Sequence, residues 1–74
     1  MKVTPAFAKA LKEYRTAKGF SQEKLAEICE LDRTYISLLE RAKRNPSLEI
    51  VFCLAKGLGI SPSALIKTVE KYNQ

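Results

Sequence analysis

No histidine occurs in the chain, and its two cysteines, Cys29 and Cys53, stand too far apart to form a metal-binding pair. No ligand set with metal-site spacing can be written from these residues, so neither a metal nor another cofactor is implied. The simplest account of the cysteines is two reduced core thiols in a cytoplasmic protein. A Gly-rich phosphate loop and paired catalytic carboxylates are missing too, which argues against an enzyme. No catalytic residue is assigned, and no small-molecule ligand is evident. No run of 18 apolar residues exists, so a membrane partner is not expected. The opening MKVTPAFAKALKEYR is too charged to hold the apolar run of a secretory signal. Alternation at period 2, the mark of a half-buried strand, is absent as well.

What is present is short and basic. A chain of 74 residues makes one domain, residues 1–74. At that size folding buries only about 60% of the surface that the unfolded chain exposes. Such a chain needs tidy local structure or a partner. Its 46% hydrophobic and 28% charged residues are ordinary for a globular domain. Thirteen Lys and Arg against eight Asp and Glu leave a net charge of +5. This balance favours a polyanionic partner. The composition points to a binding protein.

Five stretches at helical period follow one another, each opened by a start signal. Thr4 and Pro5 read as N-cap and first helical residue, because Pro lacks the donor that this position leaves unpaired. Phe7, Ala10, Leu11, Tyr14 and Ala17 then form one apolar face, and Gly19 stops the helix. Ser21 caps the second stretch, and Phe20 and Leu25 have the spacing of a hydrophobic staple. Asp32 caps the third, with Leu31 and Ile36 as its staple. Ser47, after Asn45-Pro46, opens the fourth, which carries Leu48, Val51, Leu54, Ala55 and Leu58 inward and ends before Gly59. Ser61-Pro62 opens the fifth, stapled by Ile60 and Leu65, with Leu65, Val69 and Tyr72 inward and fraying at Asn73-Gln74. The fold class expected is all-α, a compact bundle of five short helices.

Only Glu30 and Leu31 separate the second helix from the cap of the third. So short a connection forces a sharp crossing, the helix-turn-helix motif. Residues 21–49, SQEKLAEICELDRTYISLLERAKRNPSLE, resemble the phage-repressor-like helix-turn-helix proteins. Within that family the chain is most similar to the small controller proteins of restriction–modification systems. Gln22 opening the first motif helix, Leu25-Ala26 inside it, Leu31 after the turn, then Ile36 and Leu39 carry the resemblance. It implies a lambda-repressor-like DNA-binding domain with its motif at about 21–41 and an ion pair between Arg15 and Glu40. The family usually has Gly where Glu30 and Ala42 stand, positions that often need a positive φ. Either these two turns are strained or they take another local path.

In such a motif the second helix enters the major groove and the first crosses the backbone. With Ile36 and Leu39 inward, Arg33, Thr34, Ser37, Leu38 and Arg41 fall on the outward arc. Arg33 has the fork that reads guanine N7 and O6. As a plain surface residue it would be misplaced, since a helix N-terminus disfavours a cation. Thr34 and Ser37 suit base edges or simple solvation, and Leu38 suits a thymine methyl or nothing at all. Tyr35 is divided between a phosphate contact and core packing. Ser21 and Gln22, at a helix N-terminus, make a phosphate seat. Lys24 joins them as a weaker candidate between Glu23 and Glu27. Arg41, Lys43, Arg44 and Asn45 form the densest basic run, either a backbone contact or a solvated loop.

One small domain reads few bases, so symmetric doubling is expected. Helices within about 47–72 are expected to serve dimerisation as well. Ile50, Cys53 and Ile66 lie off the core stripes and form a candidate dimer face, unless the fifth helix covers them within one chain. The function expected is sequence-specific binding of double-stranded DNA by a homodimer on a near-palindromic operator. RNA polymerase is a further candidate partner of such a regulator. A phage or plasmid repressor and an antitoxin share the motif, and a protein-interaction adaptor is the rival from another class.

Overall fold

The structure, a computed structural model, describes residues 2–74 as five helices: α1 (Val3–Ala17), α2 (Gln22–Cys29), α3 (Arg33–Glu40), α4 (Leu48–Gly57) and α5 (Pro62–Tyr72). Among the described residues there is no strand, and no single helix is long and apolar enough to cross a membrane. α1 lies along α5 and α3, α2 packs on α3 and α4, and α4 packs on α5.

Caps set the boundaries. Ser21, Ser47 and Ser61 each accept the backbone N–H three residues on, and Asp32 accepts that of Thr34 at 2.7 Å. Each satisfies one of the donors that a helix start leaves unpaired. The stapling residues Phe20, Leu31 and Ile60 all pack against the core. The start of α1 departs from expectation. The helix begins at Val3 after Lys2, and Ala6 N–H donates to Lys2 O at 3.2 Å. Pro5 is therefore the third helical residue, still within the first turn where no intrahelical donor is needed. Thr4 is not the cap.

The core is Ala6, Phe7, Ala10 and Leu11 of α1, Leu25, Ala26 and Cys29 of α2, Ile36 and Leu39 of α3, Val51, Leu54 and Ala55 of α4, Leu58, and Leu65 and Val69 of α5. Two residues expected there lie outside it. Ala17 is exposed beside a groove between the ends of α1 and α5. Leu48 is 71% exposed at the first position of α4. It shares its flank instead with Phe52, one turn on and 55% exposed.

All four interhelical turns that follow α1 to α4 use a left-handed residue: Gly19, Glu30, Ala42 and Gly59, with φ of 75°, 55°, 59° and 73°. The next N–H in each case donates five residues back, as Leu31 does to Ala26 O at 2.8 Å. Glu30 and Ala42 thus hold a conformation that costs a residue with a Cβ roughly 1–2 kcal/mol. The two turns flanking α3 are strained, not rerouted.

Candidate nucleic-acid interface

α3 is fixed from behind. Arg15 on α1 grips Glu40 in a bidentate pair, Nε to Oε2 at 2.6 Å and Nη2 to Oε1 at 2.9 Å. Its Nη1 donates to Phe20 O at 2.7 Å. The side chains keep only 11% and 3% of their surface, so the pair is buried. The bond to Glu40 raises the pKa of Arg15 further, against the effect of burial. Glu40 Oε1 also accepts from Gln22 Nε2 at 3.0 Å. One carboxylate therefore joins α1, the start of α2 and the end of α3.

The outward side of α3 is open. Arg33 and Thr34 are exposed on its first turn, with Asp32 capping beneath them. Arg41 follows the last turn and donates to Ser37 Oγ at 3.2 Å, and Ser37 is half-buried. Leu38 is half-buried too, and Tyr35 packs against the core with part of its ring exposed. Lys43, Arg44 and Asn45 are exposed beyond α3. Among the described residues, Arg33, Lys43 and Arg44 enter no ion pair. Lys24 does, at 3.4 Å from Glu27, so part of its charge is already matched. Ser21 Oγ is spent on the N–H of Lys24 at 3.0 Å. Those of Gln22 and Glu23 find no backbone acceptor among the described residues. Such N–H groups at a helix start attract an anion.

A second surface lies on α4 and α5. Phe52, Cys53, Lys56, Ile60 and Pro62 line an open apolar groove across the turn between them. Ile66 is 46% exposed on α5, whereas Ile50 packs partly against its own core. Cys53 faces α2: its thiol donates to Cys29 O and the Cys29 thiol to Cys53 O, both at 3.5 Å. Burial, with the neighbouring Cys53, pushes the Cys29 thiol from 9.0 to about 12. Close approach here depends on Gly57, where a Cβ would sit 2.7 Å from Cys29 Sγ. Sequence reasoning missed Leu48 and Phe52 as surface residues. Phe52 falls off the stripe of Val51, Leu54, Ala55 and Leu58, and that marks it; Leu48, three and seven residues before Val51 and Ala55, keeps the spacing of the stripe and carries no such signal.

Two short helices joined by a three-residue turn, with Arg33 exposed at the start of the second and the basic residues Arg41, Lys43 and Arg44 just beyond its end, define a helix-turn-helix protein. The helix-turn-helix family model matches residues 11–65, and the chain belongs to that family. It is 44% identical over 61 residues to control protein C.BamHI of Bacillus amyloliquefaciens, covering 81% of this chain and 75% of the relative. Among solved structures it resembles the restriction–modification controller protein C.AhdI from Aeromonas hydrophila, with a TM-score of 0.84 and 45% identity over 88% of this chain and 98% of that one. It also resembles the controller protein C.Esp1396I, solved as a tetramer in complex with its natural 35 base-pair operator, with a TM-score of 0.89 and 33% identity. That match covers 97% of this chain and 95% of the other.

Proposed function

We propose that the chain is a sequence-specific regulator of transcription that binds duplex DNA as a homodimer, and that it controls restriction–modification genes. The observation that carries this reading is the asymmetry of α3. Its rear is locked by the buried Arg15–Glu40 pair, while its first turn offers Arg33 and Thr34 to solvent. A helix so held can enter a major groove without losing its orientation. Arg33, Thr34, Ser37 and Leu38 read base edges. Ser21, Gln22, Lys24, Tyr35, Arg41, Lys43, Arg44 and Asn45 serve the phosphate backbone, which positions the protein without naming a sequence. Full-length similarity to a controller protein seated on its operator supports the same reading.

The exposed apolar flank of α4 and α5 supports self-association. Phe52 and Ile66 are the exposed apolar residues of the proposed face, with half-buried Cys53 and Ile50 at its edge. A two-fold pair places its recognition helices about 34 Å apart, one turn of the duplex. Titration of matched and scrambled duplexes across several salt concentrations tests DNA binding. A regulator prefers the matched site and loses affinity steeply with salt; an adaptor shows neither. Sedimentation of Phe52→Glu tests the dimer, and a monomer is expected where the wild type is paired. Unchanged association would remove that flank from the interface.

A further inference from the structure

Residues 44–46 carry Arg44 and Asn45 from the end of α3 to α4 and are held by little. The turn after α3 closes at Lys43, whose N–H donates to Leu38 O at 2.9 Å, and α4 opens at the Ser47 cap. Between these points, among the described residues, one hydrogen bond fastens the segment. The Thr4 hydroxyl on the first turn of α1 donates to Asn45 Oδ1, 41 positions along the chain. This hydroxyl is free for the task because α1 starts after Lys2 with no side-chain cap. Ser21, Asp32, Ser47 and Ser61, by contrast, spend their oxygens on their own helices.

The direction of the bond matters. An Asn side chain has one acceptor oxygen and one –NH2 group with two donors. With Oδ1 turned toward Thr4, the –NH2 group is directed away from it and makes no hydrogen bond among the described residues, and its two donors complement an anionic oxygen. The bond also anchors the segment to α1, which α3 and α5 hold in place. Part of its ordering entropy is then lost on folding and not on binding, where such losses weaken a complex.

We propose that Thr4 is a positioning residue for the phosphate contacts. Through Asn45 it holds the Asn45 amide and the neighbouring Arg44 in place for the phosphodiester backbone of duplex DNA. The first helix thereby takes part in DNA binding without supplying a contact of its own. This role rests on the DNA-binding reading above.

The test uses Thr4→Val, Thr4→Ser, Asn45→Ala and the double variant Thr4→Val/Asn45→Ala. Each is titrated by fluorescence anisotropy with matched and scrambled duplexes at several salt concentrations. Valine keeps the shape of threonine and removes only the hydroxyl, and urea melts confirm that the fold is retained. Thr4→Val is expected to weaken binding to both duplexes equally, by about three- to ten-fold, the weight of one neutral hydrogen bond. Thr4→Ser is expected to bind like the wild type. The double variant should bind no more weakly than Asn45→Ala, because the two residues act as one unit. Wild-type affinity in Thr4→Val, or additive losses in the double variant, overturns the proposal. If the wild type itself shows no salt-dependent binding to duplex, the DNA-binding reading falls first and the role of Thr4 with it.

Discussion

The pairs α2–α3 and α4–α5 are built on one plan and finished differently. In each, a serine opens the first helix, Ser21 or Ser47, and a left-handed residue follows its end, Glu30 or Gly59. An apolar residue comes next, Leu31 or Ile60, whose N–H donates five residues back at 2.8 or 3.0 Å. A capping oxygen, from Asp32 or Ser61, then opens the second helix. The finish divides them. The first pair has a strained turn, a buried ion pair at its back and cations on its outer face. The second has a relaxed glycine turn and exposes Phe52 and Ile66. Local capping chemistry thus fixes the geometry of both pairs, and the outer side chains decide what each can meet. Exposed cations favour a polyanion; an exposed apolar flank favours another protein surface.

The largest expected effect comes from the means by which each pair is held. α2–α3 leans on the Arg15–Glu40 pair, whereas α4–α5 is held by its apolar contacts. Glu40→Gln leaves Arg15 charged and buried with no counter-charge, so the loss should be about 3–5 kcal/mol. Urea melts read this as a lower midpoint with an unchanged slope. A variant as stable as the wild type would mean that the two pairs are held alike.

Next comes the outer face of α3. Arg33→Ala should cost about 1–3 kcal/mol on the cognate duplex and relax the preference at one base pair in each half-site. No equivalent residue exists on α5, where Ile66 stands exposed in the second turn. Site selection from random duplex, repeated with the variant, shows which base pair loses its preference. Equal loss on cognate and scrambled duplexes would make Arg33 a phosphate anchor and move the reading face elsewhere.

Capping and stapling were legible because they are local: Ser21, Asp32, Ser47 and Ser61 need only their own next turn. The apolar stripes at Phe7, Leu25, Ile36, Leu54 and Leu65 were legible for the same reason, and so was the outward place of Arg33 and Thr34. Family resemblance marked Arg15, Glu40 and the two missing glycines, which no periodicity would have paired. What stayed hidden depends on neighbours distant in sequence. Leu48 keeps the spacing of the buried stripe, yet the inward side of the first turn of α4 falls to Ile50 and Val51. Gln22 turns toward Glu40 because α3 brings that carboxylate to it. Thr4 was misplaced as a cap because Pro5 fits any position in the first turn, so its own signal did not set the register.

Exchanging the turn residues breaks the comparison more directly, with a smaller effect. Gly59→Ala should lose about 1 kcal/mol, since alanine at φ 73° is strained although its Cβ meets only the flexible end of Lys18. Glu30→Gly should gain up to about 1 kcal/mol. It relieves φ 55° and removes a negative charge from a helix C-terminus, against a greater entropy of the unfolded chain. Chemical denaturation of both variants reads the signs. A loss at Glu30 would mean that its side chain contributes more than its backbone strain removes, and that the two turns are not equivalent.

The smallest effect separates positioning from reading within the first pair. Lys43 lies one residue past the left-handed Ala42, beyond the end of α3, and Arg33 stands on the first turn. A recognition helix meets base edges with its N-terminal residues, so a cation beyond its C-terminal end meets the phosphate backbone. A phosphate contact releases condensed counterions on binding whatever the sequence beneath it. Lys43→Ala should therefore weaken binding to matched and scrambled duplexes alike and lower the salt slope by about one unit. The preference ratio between the duplexes should stay at its wild-type value. Titrations over a range of salt concentrations give both quantities from the same data. A changed ratio with an unchanged slope would place Lys43 in the groove and not on the backbone.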